Sequence, residues 1–176
     1  MTKKVYFKTP DNFKLCGIWN IPNKKTNKAV ILAHGLNADK NEGGVFTKLA
    51  NALAKQGFAV FRFDFRGRGE SEGITEDVST KNEVVDLNAA LDFTHHNSYR
   101  TIGLLGASYS GASTTLFTAT NPNKVKCLCL WNPGLNNRHV LTRITVQEVL
   151  KLISNLEKKG LKKSKARKIS YLVKKY

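Results

Sequence analysis

The stretch Leu104-Leu105-Gly106-Ala107-Ser108-Tyr109-Ser110-Gly111-Ala112 holds the residue best placed for chemistry. An apolar β-type run over 101–105 enters a turn of small residues, and a helical pattern starts at Tyr109. A serine at such an apex, with small residues two before and two after it, is pushed out above the sheet, because so tight a turn leaves no room for neighbouring Cβ atoms. A hydroxyl presented in this way suits nucleophilic attack on a carbonyl carbon, which also needs fixed donors where the oxyanion forms. The usual spacing is G-x-S-x-G. Here Ser110 takes the last position and Gly111 follows it, so the string also fits an ordinary glycine-rich β-to-α turn.

Positioning such a serine requires a sheet, and the chain supplies a pattern for one. Alternating runs at 3–8 and 14–21 flank Thr9-Pro10-Asp11-Asn12, which predicts an antiparallel hairpin. Residues 29–33 form a short, continuous apolar run, as expected of a strand buried on both faces, and end at His34-Gly35-Leu36. Phe46, Leu49, Ala50, Leu53 and Ala54 lie at helical spacing, and Gly57 stops that helix. A strand at 58–65 runs into Arg66-Gly67-Arg68-Gly69-Glu70-Ser71. A helix over 80–95, the strand at 101–105, a helix at 109–121 and an apolar strand at 125–131 follow. This alternation predicts a doubly wound, mostly parallel α/β sheet led in by the hairpin. Parallel strands bring the three loops after 29–33, 58–65 and 101–105 to one edge, where α/β folds place their sites.

Those three loops together carry a resemblance. The chain resembles the α/β-hydrolase superfamily, and within it the serine-aminopeptidase-like group that includes feruloyl and cinnamoyl esterases. That group shares an H-G loop after the third strand, a D-x-R-G-x-G-x-S loop after the fourth, and then the serine turn. His34-Gly35, then Asp64, Arg66, Gly67, Gly69 and Ser71, then Ser108 match in that order over roughly residues 3–135. The resemblance implies a serine hydrolase acting on carboxylic esters through an acyl-enzyme, with no metal and no cofactor. It makes Ser108 the nucleophile and the backbone N–H groups of Leu36 and Tyr109 the oxyanion donors. His34, Gly35, Asp64, Arg66, Gly67, Gly69 and Glu70 then brace the loops around the site. Ser110 reads as a tolerated small residue.

Family order is serine, then acid, then histidine. Beyond Ser108 the histidine is His139 and the acids are Glu148 and Glu157. None sits in a recognisable strand-end loop. His95 and His96 end a helix that should deliver them to the opposite sheet edge, about 20 Å from the serine. His139 could serve as a base only by folding back over Ser108. The reading is therefore an α/β-hydrolase core over 1–135, C-terminally incomplete, followed by a basic helical segment over 136–176 resembling the start of a cap. Loss of the histidine costs a serine hydrolase on the order of 10⁶ in turnover, so the chain alone should be inactive or weak.

Composition narrows the alternatives. The chain has 176 residues, a hydrophobic fraction of 41% and three cysteines without metal spacing, Cys16, Cys127 and Cys129, read as reduced core residues of a cytoplasmic protein. Its apolar runs are too short for a membrane span, and the N-terminus lacks the apolar core of a signal peptide. The net charge is +16, with 17 Lys/Arg against 11 Asp/Glu over 1–135 and 12 against 2 over 136–176. The concentrated charge permits an anionic-surface or nucleic-acid binder, but that tail has only Tyr171 and Tyr176 as aromatics and no nucleic-acid motif. A non-catalytic hydrolase-fold protein that binds a ligand or partner is the nearer alternative. The expected partners are a small-molecule ester and, at an open sheet edge, a second chain or another copy.

Overall fold

Alternation in the first twenty residues closes into a hairpin: β1 (Thr2–Lys8) and β2 (Lys14–Asn20) pair antiparallel, from Thr2 opposite Asn20 to Lys8 opposite Lys14. Its turn is fixed locally, because the Thr9 hydroxyl accepts from the Phe13 N–H at 2.9 Å and Asn12 takes the left-handed conformation at φ 72°. The computed structural model describes residues 1–134, so the proposed cap segment, His139 and the basic tail lie outside the described residues.

The alternating elements follow in the expected order. They are β3 (Lys28–Ala33), α1 (Val45–Lys55), β4 (Ala59–Phe63), α2 (Thr80–His96), β5 (Thr101–Ala107), α3 (Ser110–Thr120) and β6 (Cys127–Trp131). The six strands make one sheet in the order β1-β2-β4-β3-β5-β6, parallel from β4 to β6 and antiparallel in the lead-in hairpin and at its junction with β4. Caps set the helix limits. The Ser79 hydroxyl accepts from the Asn82 N–H at the start of α2, and Gly57 (φ 89°) ends the turn after α1 by donating to the Ala54 carbonyl.

Period-two strands divide the core between the two sheet faces. Ile31, Phe61, Phe63 and Leu104 face a cluster completed by Leu87 and Leu91 of α2 and Phe117 of α3. Leu32, Val60 and Ala107 face the opposite way, onto Phe46 and Ala50 of α1. An aromatic group of Phe7, Trp19, Phe61, Phe63 and Phe93, with ring centroids 4.6–6.0 Å apart, fastens the hairpin to the parallel sheet.

One expectation holds and one needs correction. The strand at 125–131 lies at an open edge as expected: β6 is the edge strand of the described sheet, and only Leu130 within it is buried. Cys127 and Cys129 are accordingly exposed, and of the three cysteines only Cys16 lies in the core. A run of apolar side chains reports an affinity for burial. Which neighbour supplies that burial is a property of the sheet order.

Candidate active site

Ser108 occupies the junction between β5 and α3 with a left-handed backbone, φ 50°, and is exposed. A non-glycine residue in this region carries strain of about 1–3 kcal/mol and persists only where its surroundings fix it. The fixing groups are visible. The Ser108 N–H donates to the Trp131 carbonyl at 3.0 Å, and its own carbonyl accepts from the N–H of Gly134 at 2.7 Å and of Gly111 at 3.0 Å. Small residues are a steric necessity here. A Cβ on Gly106 would fall 2.1 Å from Thr114 Oγ1 and 2.9 Å from the Ser110 carbonyl, and one on Gly111 would fall 2.5 Å from Pro133 Cβ.

Ser110 does more than fit. Its fully buried hydroxyl accepts from the Ala107 N–H at 3.0 Å and lies 2.8 Å from the Ala33 carbonyl, to which it donates. One side chain therefore ties the serine turn to the last residue of β3, where the His34-Gly35-Leu36 loop begins. That loop faces Ser108 closely: a Cβ on Gly35 would sit 3.3 Å from Ser108 Cβ. Among the described residues, neither the Leu36 N–H nor the Tyr109 N–H has an acceptor.

His34 is buried beneath the loop with both ring nitrogens engaged. Nδ1 lies 2.8 Å from the Gly35 carbonyl, and Nε2 accepts from the Phe65 N–H at 3.1 Å, which assigns the ring proton to Nδ1. Burial pushes its pKa below the usual imidazole value, against the hydrogen bond to Gly35 and the nearby carboxylates of Asp64 and Glu42. His95, whose Nδ1 contacts the Tyr99 carbonyl, ends α2 just ahead of β5. It thus lies a full strand away from Ser108, about 20 Å.

The second loop is held by ion pairs. Asp64, with no exposed surface, accepts from the Lys40 N–H and from Lys40 Nζ, both at 2.6 Å, and from the Glu70 N–H at 2.9 Å. Gly69 (φ 52°) must lack a side chain, because a Cβ would meet the Asp64 carboxylate at 2.3 Å. The Ser71 hydroxyl donates to the Asp64 carbonyl. Lys40 Nζ also reaches Glu70 at 3.0 Å, and Glu70, paired with Lys4 as well, is held down to about 2 by these lysines. Cys16, Asp64 and Glu70 have ligand atoms within 4.8 Å of one another. The ammonium of Lys40 already bridges the two carboxylates there, and Lys4 supplies a second cation to Glu70, which argues against a metal ion.

Arg66 joins three segments. Nε and Nη2 donate to Asp86 Oδ1 at 2.9 and 2.7 Å, Nη1 and Nη2 donate to Asp11 at 2.6 and 3.0 Å, and the guanidinium lies 4.4 Å over the Phe13 ring. Burial opposes the charge of Arg66, but these hydrogen bonds outweigh it and raise its pKa. Gly67 (φ 69°) follows, pressed against the Ile74 carbonyl. Arg66, Asp86 and Asp11 thus fix the loop from its far side.

Two residues of this constellation carry no sequence signal of their own. Lys40 fills the Asp64 pocket, and Glu42 accepts from the Gly35 N–H at 2.7 Å. The Gly43-Gly44 pair after Glu42 is the only local hint of a turn there.

The serine aminopeptidase family model matches residues 24–174. The chain belongs to that family of α/β-hydrolases. It is 34% identical over 114 residues to the thiohydrolase aneE of Aspergillus aculeatus, an alignment that covers 62% of this chain and 35% of that protein. The esterase Pf2001 of Pyrococcus furiosus superposes with a TM-score of 0.69 at 26% identity, over 77% of this chain and 50% of that one. Est1E of Butyrivibrio proteoclasticus, solved with ferulic acid bound, gives 0.65 at 25% identity, over 70% of this chain and 50% of its own. This chain therefore spans between a third and a half of the length of these relatives. Among the described residues, no helix is long and apolar enough to cross a membrane.

Proposed function

We propose that this hydrolase-family chain carries the nucleophile and oxyanion half of a serine hydrolase acting on carboxylic esters. Ser108 Oγ attacks the ester carbonyl, and the tetrahedral oxyanion is received by the N–H groups of Tyr109 and Leu36. Collapse expels the alcohol and leaves an acyl-Ser108, which water hydrolyses. Thioesters fit the same attack, in keeping with the thiohydrolase similarity. The observation that carries this reading is the strained, exposed Ser108 facing Gly35, with the Leu36 and Tyr109 N–H groups left without acceptors among the described residues.

A base is the missing part. Both nitrogens of His34 are engaged with backbone groups, and His95 and His96 close α2 at the other end of β5. His139 is the remaining candidate for a base on this chain. Turnover by the chain alone is accordingly expected to be weak, and a second chain or another copy pairing along β6 belongs to the same reading. A cytoplasmic setting and a core ending near residue 135 also belong to it. The absence of a base among the described residues favours a second reading, a hydrolase-fold protein that binds a ligand without turning it over.

Purified chain and Ser108→Ala are compared with p-nitrophenyl acetate and butyrate and with a fluorophosphonate probe. Covalent labelling that Ser108→Ala abolishes supports a nucleophile, even where ester turnover is slow. Equal labelling of the two would remove Ser108 from that role and leave the binding reading.

A further inference from the structure

We infer that Glu42 is a positioning residue whose carboxylate sets the Gly35-Leu36 backbone against Ser108. The inference rests on reading Ser108 as the nucleophile. The Gly35 N–H donates to Glu42 Oε2 at 2.7 Å, a charge-assisted bond of the short, strong kind. The second carboxylate oxygen lies 3.6 Å from the point where a Gly35 Cβ would stand, and Ser108 Cβ lies 3.3 Å from that same point. Glu42 and Ser108 thus both close on Gly35, the first holding its N–H and the second packed against its Cα.

The backbone that delivers Glu42 is built for the purpose. Glu42, Gly43 and Gly44 are all left-handed, with φ of 46°, 59° and 89°. Two glycines adopt that region freely, whereas a glutamate there costs about 1–2 kcal/mol. The surroundings hold it in place. The Glu42 N–H donates to the Asp39 carbonyl at 2.9 Å, and the Asn41 carbonyl accepts from Gly44 and from the buried Phe46. Beneath the loop, Arg62 reaches the Lys40 carbonyl and the Asn41 side chain, and Lys40 is anchored to Asp64. A strained residue held by a rigid base and aimed at a functional loop is where strain has a use.

Chemistry decides between two roles for this carboxylate. As a general base it would have to hold Ser108 Oγ, but Oε2 is committed to the Gly35 N–H and, among the described residues, no hydrogen bond joins Oε1 to the Ser108 hydroxyl. As a negative charge it opposes an oxyanion nearby. Its benefit is therefore geometric: it fixes the peptide that orients the adjacent Leu36 N–H. A glutamine keeps the accepting oxygen without the charge, whereas an alanine keeps neither.

The test uses the full chain, Glu42→Ala and Glu42→Gln. By NMR, the Gly35 amide proton should lie downfield in the wild type, as a short charge-assisted hydrogen bond requires, and move upfield in Glu42→Ala. Glu42→Gln, which keeps an accepting oxygen, should fall between the two. Fluorophosphonate labelling should slow at least about 10-fold in Glu42→Ala and stay within about 3-fold of wild type in Glu42→Gln. Thermal unfolding of each variant shows that the fold survives. Equal slowing in both variants would make Glu42 a base and overturn the positioning role. Unchanged labelling in Glu42→Ala, or a Gly35 amide proton that does not move in that variant, would overturn it too. A wild type that takes no label while the Gly35 amide moves in Glu42→Ala removes the nucleophile reading, and the positioning role falls with it while the contact stands.

Discussion

Replacing Ser110 with glycine would restore the usual G-x-S-x-G spacing, yet the side chain it removes is one of the best-connected hydroxyls in the protein. It bridges the Ala107 N–H and the Ala33 carbonyl with no exposed surface. A buried backbone group that loses its partner costs about 1–3 kcal/mol. Ser110→Ala and Ser110→Gly should each lower the unfolding free energy by that amount, with the glycine the worse because it adds backbone entropy at the start of a helix. Urea denaturation checks this, and a Ser110→Gly protein as stable as wild type would show that the clamp carries no energy. The residue scale also shows what a sequence hides. Ser108 is legible because its turn forces small neighbours into a fixed spacing. Glu42, Lys40, Asp86 and Asp11 are not. Their partners lie between 7 and 55 residues away, and an acidic or basic residue in a loop looks the same whether it braces a site or faces water.

At the scale of elements, the strand-turn-helix units are legible because two constraints agree. Strands inside the parallel sheet are buried on both faces and read as unbroken apolar runs. The turns between strand and helix have steric requirements that only certain residues meet. Their limits shift where tertiary contacts intervene: β5 runs on to Ala107, two residues past its apolar stretch, because Gly106 and Ala107 pair with Leu130 and Trp131. The edge position of β6 is expected from the order of the strands, but the exposure of Cys127 and Cys129 is not, since no pattern within 125–131 names their neighbours. Glycines allow a graded test of the turn. Gly106→Ala brings a Cβ to 2.1 Å from Thr114 Oγ1, with the Thr114 methyl and the Ser110 carbonyl both at 2.9 Å. Rotating Thr114 therefore relieves nothing, and a loss of about 3 kcal/mol is expected. Gly57→Ala, at φ 89° with open space around it, should cost about 1 kcal/mol from the backbone conformation alone. Equal denaturation midpoints for the two variants would mean that the turn is looser than its packing indicates.

For the molecule as a whole, the balance of buried charge sets how stability responds to pH. Glu83 lies in the α2–α3 interface, 2% exposed, against the Ser113 hydroxyl. Burial pushes its carboxyl up to about 8, against the pull of Ser113 and Arg68 and with the help of Asp86. Ser113 also lies 3.1 Å from the Ser110 carbonyl. One hydroxyl proton can serve that carbonyl only if Glu83 is itself protonated and donates to Ser113. The unfolded chain gives up this proton near 4.5, so the native state holds more protons between there and about 8. Stability from this group is full below the lower value and falls as pH rises through the window. His34 works in the other direction. Burial lowers its pKa from 6.5, so the unfolded chain takes up the proton first and stability is lost as pH falls below that value. The two slopes offset each other below 6.5, and above it His34 no longer opposes Glu83. Wild type should therefore lose stability between pH 6.5 and 8, by at most about 1.4 kcal/mol per pH unit. Glu83→Gln keeps the uncharged shape and a donor for Ser113, and should hold its stability across the same range. Urea midpoints at pH 6, 7 and 8 measure the difference. If both proteins lose stability in parallel, Glu83 is ionised in the fold, and the hydroxyl relay from Glu83 through Ser113 to the turn that carries Ser108 is broken at its first step.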